Sequence, residues 1–307
     1  MMKRRQFIQT VLASSGVMIA PNLFASKTNN TANINTKIIP STGEALPVIG
    51  LGSFVNFNFP NEAGTITQRT QLVDKFFDMG GVLIDSSPMY GSAEKNLGLT
   101  IKPKLSKESL FSATKVWTSS VDDGATEIET SRDLWQVDRF DLLQVHNLLS
   151  WQGHLETLLE MKQQKQLRYV GVTTSHGRRH RELEKIMLTQ PIDFVQATYN
   201  VKDRELEQRI LPIAKERGIA FIANRPFQRG SLIDWVKNHP LPTLAKDLQC
   251  DNWASLLLKY IVSHPAVTCA IPATTRMDHL IENMSALSGP LPDNAMRVEI
   301  QNLIAKL

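Results

Sequence analysis

The sequence predicts a (β/α)8 barrel, a TIM barrel, and three observations carry that expectation. Eight short, apolar, β-rich runs recur along the chain. Amphipathic helical patterns fill the gaps between them. Together these units occupy about 270 residues, close to the ~250 usual for such a barrel. The eight runs are VIGLGS (48–53), VLIDSS (82–87), LFSATKV (110–116), DLLQVHN (141–147), RYVGVTT (168–174), DFVQATY (193–199), IAFIANR (219–225) and VTCAIPA (267–273). Most are continuously apolar rather than alternating, as expected for strands covered on both faces.

The other elements follow in order. TKIIPSTGEALP (36–47) reads as a β-hairpin with STGE at its tip, placed to close the bottom of the barrel. Val73, Phe76, Phe77 and Gly80 share one helical face, as do Leu155, Leu158 and Leu159, and later Leu183, Ile186 and Met187. A helix over 205–217 ends at Gly218, a residue suited to the left-handed position after a helix, and contains Pro212, a residue able to kink it. WASLLLKYIVSHP (253–265) is a strongly apolar helix stopped by Pro265, and 293–306 reads as an extra C-terminal helix. A doubly wound sheet is the alternative. It would need a phosphate loop after the first strand, and GLGSF (50–54) lacks the third glycine of that fingerprint.

Charge and cysteine content exclude several function classes. Two cysteines, Cys250 and Cys269, build neither a disulfide scaffold nor a four-cysteine zinc site, and no metal motif is present. The net charge of +4 invites a nucleic-acid reading until its location is considered. MMKRRQFIQTVLASSGVMIAPNLFAS places Lys3, Arg4 and Arg5 before a short, mildly apolar run and a small residue, Ala25. That is the layout of a secretory signal, and the RRQFI pattern resembles a twin-arginine export signal. Without residues 1–25 the chain carries 31 basic against 30 acidic side chains. The basicity is an address, and no nucleic-acid partner is expected. The expected organisation is a signal over 1–25, a polar spacer over 26–36 and one barrel over 37–307. The expected location is the bacterial periplasm, reached in folded form through the twin-arginine machinery. No stable membrane span is expected, because the apolar run is too short.

In a barrel, chemistry gathers at the C-terminal ends of the strands. The second strand ends in Asp85 and leads to Tyr90; the third ends in Lys115; the fourth ends in His146. Any one of these has a structural explanation, but four ionisable or proton-donating residues on three consecutive strand ends point to a site. GGVLIDSSPMYGSAE (80–94), SATKVW (112–117), DLLQVHN (141–147) and IPATTRMDHLIEN (271–283) resemble the aldo-keto reductases, in that family's order and spacing over essentially all of 37–290. The resemblance implies a (β/α)8 barrel, a nicotinamide cofactor and carbonyl–alcohol interconversion. It also implies that Asp85, Tyr90, Lys115 and His146 form the family's catalytic tetrad. Reduction moves a hydride to the carbonyl carbon and a proton to its oxygen. Tyr90 is the expected proton donor. Lys115, fixed by Asp85, is expected to lower the tyrosine pKa, and His146 to orient the carbonyl oxygen.

The resemblance carries cofactor contacts over position by position. Gly52 and Ser53 lie at the first strand end. Thr173 and Thr174 stand where the family has Ser-Asn, so one amide contact is replaced by a hydroxyl. Gln196 matches the glutamine at the carboxamide. In ANRPFQRG (223–230), Asn224 occupies the position of a stacking aromatic, with Arg225, Pro226, Phe227 and Gly230 around it. Arg225 and Phe227 are the candidates to replace the missing ring, or Arg225 meets the pyrophosphate. Thr274, Glu282 and Asn283 keep family positions at the adenosine end. Arg276 is the one full cation in that segment and favours NADP, with NAD the alternative. Phe54, Met89, Trp117 and Asn147 are the expected substrate-pocket residues for a small carbonyl compound. The functional expectation is an NAD(P)H-dependent oxidoreductase reducing an aldehyde or ketone. The alternative is a cofactor-sensing protein on the same barrel.

Overall fold

The structure, a computed structural model, describes residues 34–101 and 110–307. The export-signal reading of 1–25 and most of the spacer lie outside the described residues. An antiparallel hairpin opens the described chain, with β1 (Thr36–Ile38) and β2 (Ala45–Pro47) paired in register from Thr36–Pro47 to Ile38–Ala45.

Eight parallel strands follow in sequence order: β3 (Leu51–Gly52), β4 (Leu83–Asp85), β5 (Phe111–Val116), β6 (Phe140–Val145), β7 (Leu167–Thr173), β8 (Phe194–Thr198), β9 (Ala220–Asn224) and β10 (Cys269–Ala270). The sheet closes on itself through a parallel bridge between Ile49 and Ala270. Gly50 N donates to Ala270 O and Gly52 N to Pro272 O, both at 2.9 Å. This is the expected (β/α)8 barrel. The first and last strands are shorter than their apolar runs because the chain leaves regular pairing at the closing seam.

The helices cover the outside: α1 (Ala63–Asp78), α2 (Ala93–Ile101), α3 (Gly124–Trp135), α4 (Trp151–Gln163), α5 (His180–Thr189), α6 (Ile210–Arg217), α7 (Ser231–Val236), α8 (Leu244–Asp247), α9 (Trp253–Ser263), α10 (Met277–Ser285) and α11 (Asn294–Lys306). The expected helix over 205–217 is split. A 3-10 turn spans Glu205–Gln208, and α6 starts after Arg209. Pro212 thereby falls in the first turn of α6, where its missing N–H costs no hydrogen bond, so no kink is needed. Gly218 closes α6 at φ 64, as expected.

Two apolar layers hold the fold. Inside the barrel, Leu83, Phe111, Leu142, Tyr169, Phe194, Ile222 and Cys269 pack together, and Ile39 and Leu46 of the hairpin plug the bottom. Between strands and helices runs a larger layer that includes Phe76, Leu97, Trp135, Leu158, Ile186, Phe221 and Leu257. The apolar interior fills the lower barrel. The polar residues Asp85, Lys115, Gln144 and Gln196 occupy its upper part, each almost fully buried.

Candidate active site

The upper mouth of the barrel opens into a cavity of about 970 Å³. Asp85, Met89, Tyr90, His146 and Asn147 line it from the β4 and β6 ends; Gly52, Ser53 and Phe54 line it from β3. Thr173, Thr174, Gln196, Asn224, Arg225, Pro226, Phe227 and Gly230 follow around the rim, with Thr274, Glu282 and Asn283 at the far end. Nineteen of the residues expected from sequence therefore share one cavity.

Lys115 sits beneath this floor with no solvent exposure. Its Nζ donates to Asp85 Oδ2 at 2.6 Å and to Ser86 O at 2.7 Å. The other oxygen of Asp85 accepts from Gln144 Nε2 (3.2 Å) and Gln196 Nε2 (2.9 Å). The carboxylate is thus fully engaged, and the lysine is held by it. Burial lowers the Lys115 pKa, opposed by the charges of Asp85 and Glu94.

Tyr90 departs from expectation. Its ring lies 5.5 Å from Lys115 Nζ, but burial and then the Asp85 charge push its hydroxyl well above the ordinary tyrosine range. The ammonium is spent on Asp85, so it does not draw out a phenolate. Tyr90 is a phenol that keeps its proton. Phe54 packs edge-on against it (4.9 Å between centroids), and so does His146 (5.7 Å). His146 is buried, and burial followed by the Lys115 charge takes its pKa down to about 2, so the ring is neutral. Its Nδ1 lies 2.8 Å from Ser87 Oγ, which also accepts from Met89 N.

Some expected contacts are placed differently. Trp117 and Arg276 are not among the residues lining the cavity. Trp117 is exposed beyond the end of β5. Arg276 is paired with Asp278, both side chains being exposed. Gln196 turns its amide nitrogen to Asp85. Asn224 accepts from Thr198 Oγ1 and donates to Thr174 O, so its amide is tied to the barrel rim. Sequence reasoning missed Ser175, His176, Arg178, Arg179 and Arg229, all of which line the cavity. For all but Arg229, the basic run SHGRRH (175–180) directly after a strand end was the available signal.

Two buried hydroxyls on the cavity wall, Ser53 Oγ and Thr174 Oγ1, have no hydrogen-bond partner. Buried polar groups rarely go unpaired. Two open hydroxyls on the cavity wall suit a ligand with polar amide atoms, so the residues fit a nicotinamide. Among the described residues, no group of three metal-ligating side chains converges, and no helix is long and apolar enough to cross a membrane.

Comparison with known proteins agrees with this architecture. The chain is 26% identical over 211 residues to aldo-keto reductase YhdN of Bacillus subtilis, covering 63% of this chain and 62% of that protein. It is 25% identical over 264 residues to probable aldo-keto reductase 1 of Glycine max, covering 72% and 75%. The match to the Bacillus protein thus spans less than two thirds of that relative's length. An aldo/keto reductase of Klebsiella pneumoniae, solved in complex with NADP and acetate, superposes with a TM-score of 0.73 at 21% identity, covering 89% and 95%, and shares the fold. The family model described as the aldo/keto reductase family matches from Val48 through Glu299, which spans the whole barrel, and the chain belongs to that family.

Proposed function

We propose that this protein is an NADP-dependent reductase that converts an aldehyde or ketone to its alcohol, with Tyr90 as proton donor. The observation that carries the reading is a protonated Tyr90 and a neutral His146 at the floor of one cavity, with Asp85 beside them and Lys115 buried beneath and paired to Asp85.

Ser53, Thr173 and Thr174 would hold the nicotinamide end of the cofactor. The loop Arg225–Gly230 would hold its middle, and Thr274, Glu282 and Asn283 its adenosine end. When bound, the reduced cofactor supplies the hydride. The chain's own residues do the rest. The neutral His146 accepts from Ser87 at Nδ1 and carries its hydrogen on Nε2, where it binds the substrate's carbonyl oxygen. Tyr90 gives its proton to that oxygen as negative charge develops. Its raised pKa keeps the proton available across the working range. Lys115, 5.5 Å from the ring and locked in place by Asp85, fixes the geometry of the floor on which Tyr90 stands. Phe54 and Met89 shield the reacting atoms from water.

NADP is the preferred form. The solved Klebsiella relative is an NADP complex. Arg276 can exchange its exposed partner Asp278 for a 2′-phosphate at small cost, since exposed ion pairs contribute little. The same proposal includes twin-arginine export of the folded protein, directed by residues 1–25, and a periplasmic location.

The test is steady-state NADPH oxidation with a panel of small aldehydes and ketones. Tyr90→Phe is expected to lower kcat at least about 100-fold with cofactor affinity unchanged. Near-normal turnover in that variant would remove Tyr90 from its role. Tight cofactor binding without turnover of any carbonyl would favour a cofactor-sensing protein. Arg276→Ala is expected to weaken NADPH but not NADH. Fractionation of cells carrying the full chain, with and without Arg4→Lys and Arg5→Lys, tests the export signal.

A further inference from the structure

Beside His146, the cavity wall carries a hydrogen-bonded chain that runs across three loops. Arg225 Nη1 lies 2.7 Å from His176 Nε2. His176 Nδ1 lies 2.8 Å from Ser175 Oγ, and Ser175 Oγ lies 3.3 Å from Asn147 Oδ1. Donor chemistry gives this chain a direction. A guanidinium only donates, so Nε2 of His176 must accept. The hydrogen of the neutral ring is then on Nδ1 and is donated to Ser175 Oγ. The serine in turn spends its own hydrogen on the amide oxygen of Asn147. With its oxygen occupied, Asn147 has its amide nitrogen left, and the residue lines the cavity.

The backbone holds these residues rigidly. Asn147, His176 and Arg225 all sit at positive φ (52, 61 and 53°). Non-glycine residues keep that conformation only where their surroundings enforce it. The enforcing contacts are present: Asn147 N donates to Thr173 Oγ1, its carbonyl accepts from Arg179, and His176 N donates to Thr198 Oγ1.

We propose that the Arg225–His176–Ser175 chain orients Asn147 so that its amide N–H, next in sequence to His146, binds a second oxygen on the substrate adjacent to the reacting carbonyl. His176 and Ser175 are positioning residues, and Asn147 is the group that meets substrate. This rests on the reductase reading above. It narrows the substrate class to α-oxygenated carbonyl compounds, with a hydroxyl or a second carbonyl on the neighbouring carbon. The charged groups facing His176 are Arg225 and Arg229 from the loop after β9 and Arg178 from its own loop. Partial burial and these three cations lower the ring's pKa, a shift toward the neutral form that the chain requires. Protonation would remove the acceptor for Arg225 and free the ring.

The test compares kcat/KM for glyceraldehyde with that for propanal. Asn147→Ala is expected to lower the preference for glyceraldehyde about three- to ten-fold, the loss of one neutral hydrogen bond. The decisive pair is His176→Asn and His176→Asp. Asparagine can still donate to Ser175 and should keep the wild-type preference. Aspartate only accepts, so Ser175 must donate to it and accept from Asn147. The Asn147 amide then turns its oxygen to the cavity, and the preference should fall at least as far as in Asn147→Ala. Equal behaviour of the Asn and Asp variants, or an unchanged preference in Asn147→Ala, overturns the inference. Absence of wild-type turnover on both aldehydes would instead count against the reductase reading.

Discussion

Replacing Lys115 by methionine separates the stability of this fold from its chemistry. Lys115 and Asp85 are 2.6 Å apart, and neither side chain has appreciable solvent exposure. Methionine has nearly the volume of the lysine stem, so it opens no large cavity. What it removes is the charge that balances Asp85. The carboxylate keeps its two neutral donors, Gln144 and Gln196, at a position with very little solvent exposure. Removing one partner of a buried pair costs about 3–5 kcal/mol, because the surviving charge stays desolvated. Urea unfolding of wild type, Lys115→Met, Asp85→Asn and the double variant at pH 7 measures this. The single Lys115→Met change should cost about 3–5 kcal/mol, and the double variant should recover part of the loss, with a coupling energy of at least about 2 kcal/mol. The Lys115→Met protein should not reduce carbonyls even where it is fully folded. A cost below about 1 kcal/mol with additive double-variant behaviour would refute the claim that the pair is electrostatically closed.

Three further outcomes follow from the packing. Gly98→Ala tests a close approach: a Cβ there would fall 1.9 Å from Leu134 O. Helix propensity alone favours alanine by about 1 kcal/mol, but the clash between α2 and α3 should win and cost about 2–3 kcal/mol by urea unfolding. His264 accepts from Ala266 N at Nδ1, and burial, then the Arg297 charge, lowers its pKa to about 4. The unfolded chain therefore binds the proton more tightly than the folded one. Stability should be complete above about pH 6.5 and fall by about 2–3 kcal/mol as pH drops through 4, with a shallower slope in His264→Gln. Arg297 docks α11 on the barrel through Ser263 Oγ (2.7 Å) and Tyr199 OH (2.7 Å), with Glu207 as its carboxylate partner. Arg297→Met should cost about 3 kcal/mol and should speed proteolysis of the C-terminal helix.

The barrel was legible because its signal is local. Runs such as LFSATKV and DLLQVHN read as two-sided strands from their own composition, and the observed β5 and β6 differ from them by a residue or two at the ends. The site floor was legible for a related reason. A parallel barrel brings every strand end to one face, so Asp85, Lys115 and His146 meet once the topology is assigned. Helix ends were less legible. The break at Arg209 is a tertiary matter, since nothing in ELEQRILPIAKER marks where the 3-10 turn gives way to α6.

Electrostatic roles were the least legible. From sequence, Lys115 was expected to draw the proton from Tyr90. In the folded protein Asp85 claims that charge first, and burial raises the phenol. Arg276 is the one full cation of its segment by sequence, and Asp278 pairs with it within a single turn of chain.

The (β/α)8 class, the eight strand runs and most of the residues gathered at the mouth are thus written in local sequence, because side-chain periodicity and strand polarity are properties of short segments. Which charges are spent on each other, and which donors stay open, depends on the folded arrangement. Ser175 lies 28 residues from Asn147, and His176 lies 49 from Arg225. Hydrogen-bond direction across such separations follows from distances of about 3 Å, which no local pattern encodes.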